Sequence, residues 1–126
     1  MSDRICLIVD DEISIRAYLR AIMERARFQS LEADTVGQAL RILQKIGGRL
    51  DVVISDINMP GDMNGVDLAH SVRNSFPDIP VILISGYADE DSVKKAAPDF
   101  EFIQKPFVPD TILKAVEKAI APRKPL

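Results

Sequence analysis

Short apolar runs alternate with stretches of helical periodicity along most of the chain. Arg4–Val9 is a nearly continuous apolar run, the pattern of a strand covered on both faces (β1). Ile15, Leu19, Ile22 and Ala26 then fall on one side of a helix (α1, 15–26). Gln29–Ala33 is a weaker strand (β2). Thr35-Val36-Gly37-Gln38 reads as a capping box, with Thr35 as N-cap and Gln38 at the third helical position. It opens a helix with Val36, Leu40 and Leu43 on one side, stopped by Gly47-Gly48 (α2, 36–46). Asp51–Ser55, rich in β-branched residues, is a third strand (β3). Pro60-Gly61 marks a loop, and Gly65–Phe76 is a helix with Leu68, Ala69, Val72 and Phe76 facing inward (α3). Pro77 and Pro80 bracket a turn before a fourth strand, Val81–Ile84 (β4). Asp89–Ala97 is a short helix with a thin apolar stripe, ended by Pro98 (α4). Phe100–Gln104 is a fifth strand (β5). Pro109 begins a last helix whose inner face is Ile112, Leu113, Val116 and Ile120 (α5, 109–120).

Strands that alternate with helices in this way predict an α/β domain built on a parallel sheet, with right-handed crossovers. Ligands of such sheets bind beyond the carboxyl ends of the strands. Four of the five runs end there in reactive residues. Ile5–Val9 leads into Asp10-Asp11-Glu12, Val52–Ser55 into Asp56, Val81–Ile84 into Ser85, and Phe102–Gln104 into Lys105-Pro106. Acids also favour helix N-termini, lysines often snorkel, and a serine before glycine is a common turn residue. The placement of these residues at four strand ends makes one joint site the better explanation.

Length and composition narrow the class. With 126 residues the chain forms one domain, expected over 3–121 with a short tail at 122–126, and can bury a core without disulfides. A net charge of −3 offers no basic excess for nucleic acid. Its one cysteine, Cys6, excludes an internal disulfide and reads as a buried small hydrophobe rather than a redox sensor. No apolar stretch approaches the ~20 residues of a membrane span. Met1-Ser2-Asp3-Arg4 lacks a signal-peptide pattern, so a cytoplasmic location is expected.

Asp10, Asp11 and Asp56 would repel one another on a shared edge, by roughly 3 kcal/mol for a pair ~5 Å apart at an effective dielectric of 20. A hard divalent cation removes that strain. Mg²⁺ accepts carboxylate and carbonyl oxygens and keeps water positions that a phosphoryl oxygen can take. Asp56 would then be a nucleophile forming an aspartyl phosphate. The metal and Lys105 would stabilise charge on the transferring oxygens, and Ser85 would bond one of them.

The set IVDDE at 8–12, SDINMPGDMNG at 55–65, ISGYAD at 84–89 and KPF at 105–107 resembles the receiver domain of bacterial two-component response regulators, over roughly residues 3–121. The resemblance implies a flavodoxin-like, doubly wound five-stranded parallel sheet of order 2-1-3-4-5. It implies Asp56 as phosphoacceptor, charged by a sensor histidine kinase or a histidine phosphotransfer protein. Asp11, Asp56 and the backbone carbonyl of Asn58 would hold Mg²⁺ or Mn²⁺ directly, with Asp10 binding through water. Ser85 and Phe102 would be the switch residues, Lys105 the phosphate-pairing lysine, and the Lys105–Pro106 peptide cis. Asn58 and Tyr87 fall where the family tunes phosphoryl lifetime. Phosphorylation would reshape the α4-β5-α5 face for a downstream protein. Beyond its own phosphorylation and dephosphorylation no enzymatic activity is expected, and the chain would be a monomer or weak homodimer without direct nucleic-acid or membrane contact.

Three features depart from the family pattern. The spacing from Asp56 to Gly65 is one residue longer than usual, the stretch 96–100 lacks the frequent Gly-Ala pair, and Phe102 replaces a frequent tyrosine. The chain is expected to act alone or as the receiver of a hybrid kinase or longer regulator. A hydrolase of the haloacid dehalogenase type also combines Asp, Ser, Lys and Mg²⁺. It wants a second acid two residues after the nucleophile, where Asn58 stands. A flavodoxin-like cofactor carrier would want a glycine- or hydroxyl-rich phosphate loop in place of Asp10-Asp11-Glu12. His70, the sole histidine, is expected on the surface of α3.

Overall fold

The computed structural model describes residues 4–86 and 100–121. Five strands, β1 (Arg4–Val9), β2 (Phe28–Ala33), β3 (Val52–Asp56), β4 (Val81–Ser85) and β5 (Glu101–Gln104), form one sheet. Its order is β2-β1-β3-β4-β5, and every neighbouring pair runs parallel. The expected α/β architecture and strand order are those observed. Helices α1 (Ile13–Arg25), α2 (Val36–Ile46), α3 (Gly65–Ser75) and α5 (Pro109–Ile120) accompany it, with a short 3₁₀ turn at Gly47–Arg49. The segment predicted as α4, Tyr87 and the tail 122–126 lie outside the described residues.

The period of two along each strand divides the core between the faces of the sheet. Leu7, Val9, Val53 and Leu83 point to one side, where they pack with Val36, Ala39 and Leu43 of α2 and Leu68, Ala69 and Val72 of α3. Cys6, Ile8, Val52, Ile54, Ile82, Ile84 and Ile103 point to the other, against Leu19, Ile22 and Met23 of α1 and Ile112, Val116 and Ile120 of α5. Both faces are covered, which is why the central strands read as unbroken apolar runs. Cys6 is fully buried and hydrogen-bonded to Ser30 at 3.4 Å, and burial pushes its thiol up to about 11. At neutral pH it is an inert thiol.

Helices α2 and α3 start where the sequence places them, but their capping differs from the sequence expectation. Thr35 caps α2 by accepting the Gln38 N–H at 3.0 Å, but Gln38 reaches back to the Asp34 N–H rather than to Thr35. The complete capping box is at α3, where Asn64 Oδ1 accepts the Asp67 N–H and Asp67 Oδ2 accepts the Asn64 N–H. β3 also runs one residue further than its apolar run, so Asp56 is itself a strand residue, registered against Ile84. His70 is exposed on α3, edge-on to the Phe100 ring at 5.4 Å.

Candidate functional site

The ends of β1, β3, β4 and β5 meet at one edge of the sheet. The chain turns abruptly after β1. The Asp10 N–H donates to the Ala33 carbonyl at 3.1 Å, and Asp10 Oδ1 accepts the Glu12 N–H at 2.8 Å. Asp10 is thereby drawn fully into the protein, while Asp11 stays exposed. Asp56 projects from the end of β3 and is 5 % exposed. Asp10, Asp11 and Asp56 each offer a carboxylate oxygen, all within 4.8 Å of one another.

Lys105 enters from the end of β5. Its N–H donates to the Ser85 carbonyl at 2.8 Å, and the following peptide to Pro106 is cis. Its ammonium lies 3.3 Å from Asp56 Oδ2 and 4.0 Å from Asp10 Oδ2. One ammonium therefore faces two carboxylates of a cluster of three. Burial raises the Asp10 carboxyl to about 6. The hydrogen bond from Glu12 and the charge of Lys105 pull it down, while Asp56 and Asp11 push it up.

Ser85 closes β4 and is buried. Among the described residues, two buried side-chain oxygens lack a hydrogen-bond partner, Asp10 Oδ2 and Ser85 Oγ. Both belong to this edge. An unpartnered buried oxygen is costly, and these two are what a cation and an anionic oxygen would satisfy. The residues present thus fit a hard cation and a phosphoryl group. Asn58 lies on the exposed loop and its N–H donates to Asp56 Oδ1 at 3.3 Å, which fixes one carboxylate oxygen from the backbone.

The loop from Asp56 to Gly65 passes through one residue of positive φ. Gly61 takes a φ of +97°, which suits glycine. Gly65 then docks back on β3, its N–H donating to the Ile57 carbonyl at 2.9 Å. A Cβ there would stand 2.2 Å from the Asp56 carbonyl oxygen, so the α3 start can seat against β3 only through glycine.

Phe102 is half-buried in β5, packed against the α2–α3 side of the core. It borders a groove of about 540 Å³ between β5 and α5, lined by Gln104, Phe107, Thr111, Ala115 and Lys118 as well. Arg16 had no place among the expected site residues. From the first turn of α1 it donates to the Asp10 carbonyl at 2.7 Å. No spacing rule joins it to the acids, because its other partner, Glu32, sits on β2.

The response regulator receiver domain family matches residues 6–117. The chain is 38 % identical over 104 residues to the sensor kinase CckA of Brucella abortus, covering 80 % of this chain and 11 % of that protein. It is 32 % identical over 124 residues to the transcriptional regulator NtrC of Escherichia coli K12, covering 96 % of this chain and 26 % of NtrC. It therefore spans about a tenth to a quarter of these relatives. A receiver domain protein from Clostridium thermocellum superposes with a TM-score of 0.88 at 28 % identity, covering 95 % of this chain and 96 % of that one. A CheY-like receiver from Methanospirillum hungatei gives 0.80 at 30 % identity, with 94 % of each chain covered. Receivers are signalling modules rather than conventional enzymes, connected to histidine kinases and effector domains, and the family binds Mg²⁺ at an acidic pocket. By sequence and by structure, this chain belongs to the response regulator receiver domains of two-component systems.

Proposed function

We propose that this chain accepts a phosphoryl group on Asp56 from a phosphohistidine partner and reports it through the face that includes β5 and α5. The observation that carries the reading is the pair of unpartnered buried oxygens, Asp10 Oδ2 and Ser85 Oγ, on either side of an aspartate already engaged by Lys105. Asp10, Asp11, Asp56 and the Asn58 carbonyl would hold Mg²⁺ or Mn²⁺, which supplies positive charge for the transferring oxygens. An Asp56 oxygen forms the new O–P bond as the P–N bond to the donor imidazole breaks, and the electron pair returns to that nitrogen. Lys105 offsets the charge that gathers on the phosphoryl oxygens, and the Ser85 hydroxyl donates to one of them.

Asn58 and Tyr87 would govern access of hydrolytic water, and Phe102 would follow Ser85 when the phosphoryl group draws it in. Phe102 is half-buried beside the groove between β5 and α5, which gives a rotation of its ring somewhere to act. The donor would be a protein. Exposed Ile13 (73 %) and Val108 (60 %) each follow a site residue by three positions, Asp10 and Lys105. Tyr18 and Phe107 bring α1 and the loop after β5 together, with their rings 5.8 Å apart. A cytoplasmic setting follows from such a donor, and no described helix is long and apolar enough to cross a membrane.

Incubation with acetyl phosphate and Mg²⁺ followed by intact-mass measurement tests the proposal. One phosphoryl group should appear, and be lost in Asp56→Asn or on chelation. Sustained turnover of phosphate monoesters would instead support the hydrolase reading.

A further inference from the structure

We propose that Arg16 is a positioning residue for the metal-binding turn, clamped in that role by Glu32. β1 ends at Val9, so the carbonyl of Asp10 lies beyond the ladder of the sheet. Arg16 Nη1 supplies its partner at 2.7 Å. The same guanidinium donates from Nε to Glu32 Oε1 at 3.0 Å. The arginine side chain is 15 % exposed and that of Glu32 27 %, so this bridge is shielded where an ordinary surface ion pair is not. Its backbone N–H is also tied down, to the Glu12 carbonyl at 3.1 Å.

The consequence is visible at Asp10. Its N–H is held by Ala33, its carbonyl by Arg16 and its Oδ1 by Glu12, which leaves Oδ2 as the one oxygen free to serve a cation. Arg16 contacts the turn from behind, through the backbone, and has no part in the phosphoryl chemistry. Glu32 is held in turn by Arg20, whose Nη1 donates to Oε2 at 3.1 Å. Arg20 is half exposed and does not reach the turn, so it serves as an internal control.

Charge and position make opposite predictions. Removing either arginine makes the acidic edge more negative and, by charge alone, favours a divalent cation. Loss of the clamp lets the turn relax and disfavours it. Partners that orient metal ligands typically contribute 10–100-fold to affinity.

The proposal rests on the reading of Asp10, Asp11 and Asp56 as a Mg²⁺ site. Mg²⁺ is titrated calorimetrically into the full chain and its variants, with thermal melts in EDTA alongside. Arg16→Ala should bind Mg²⁺ about tenfold or more weakly. Arg20→Ala should bind within about twofold of the wild type or tighter. Phosphorylation of Arg16→Ala by acetyl phosphate should be slow at low Mg²⁺ and approach the wild-type rate at saturation, which a general loosening of the fold would not produce. Should Arg16→Ala fail to fold in EDTA, Arg16→Lys decides, because it keeps the charge but cannot hold the Asp10 carbonyl and Glu32 together, with an expected loss of about threefold. Unchanged or tighter Mg²⁺ binding by the deciding variant, or an equal loss in Arg20→Ala, overturns the proposal. Failure of the wild type to bind Mg²⁺ overturns the underlying site reading as well.

Discussion

The cost of keeping Asp10 charged can be measured directly. Its carboxyl is fully buried, one of its oxygens has no partner, and burial moves it from 3.8 to about 6. A raised native value means that the native state holds the proton more tightly than the unfolded chain. Stability from this group is therefore greatest below about pH 3.8 and is lost as the pH climbs through about 6. A difference of roughly 2 pH units at 1.36 kcal/mol each places the full cost near 3 kcal/mol. Asp10→Asn removes the charge and keeps an acceptor for the Glu12 N–H. It also gives up the attraction to Lys105 at 4.0 Å. In metal-free buffer near neutral pH, the variant should thus be more stable than the wild type by about 1–3 kcal/mol. For a chain of this size that is a rise in melting temperature of roughly 3–10 °C. The gap should shrink to about 0.5 kcal/mol near pH 4, where the wild-type carboxyl is protonated in the native state. Saturating Mg²⁺ should narrow it from the other direction by stabilising the wild type more than the variant. Thermal melts followed by circular dichroism at several pH values read all three effects. An Asp10→Asn variant that is less stable at neutral pH, or a gap that does not respond to acid, would refute the reasoning.

Two further perturbations probe how the site is carried. Gly65→Ala places a Cβ against the Asp56 carbonyl oxygen and should cost at least about 1–3 kcal/mol in urea denaturation, with slower phosphorylation of Asp56. Asn64→Ala removes the cap and half of the capping box of α3, an expected loss of about 1 kcal/mol in the same assay with phosphorylation little changed.

Much of this structure is written in the chain because both faces of the sheet are buried. A doubly covered strand needs apolar residues at consecutive positions, so Ile5–Val9, Val52–Ile54 and Val81–Ile84 stand out without further information. Parallel order then carries their ends to one edge, and the gathering of Asp10, Asp11, Asp56, Ser85 and Lys105 follows from topology. Local details were less legible. Thr35 and Gln38 have the letters of a capping box, yet the side chain of Gln38 finds Asp34 one residue earlier. The true box at Asn64–Asp67 stands at a helix start read correctly at Gly65, but its Asn and Asp lack the Ser/Thr and Glu/Gln letters of the usual box. The Arg16–Glu32 bridge joins residues sixteen positions apart on different elements. In a chain with 16 basic and 19 acidic residues, no such pair can be chosen from sequence alone.

Beryllofluoride binding followed by amide NMR tests the central claim most directly, because the complex forms only where a carboxylate, a cation and phosphate-binding groups converge. With Mg²⁺ present, one equivalent should saturate the protein and shift the amides of Asp56, Ser85 and Lys105. The shifts should vanish in Asp56→Asn and on chelation. Shifts that persist in either case, or that centre away from these strand ends, would contradict the assignment of Asp56 as phosphoacceptor.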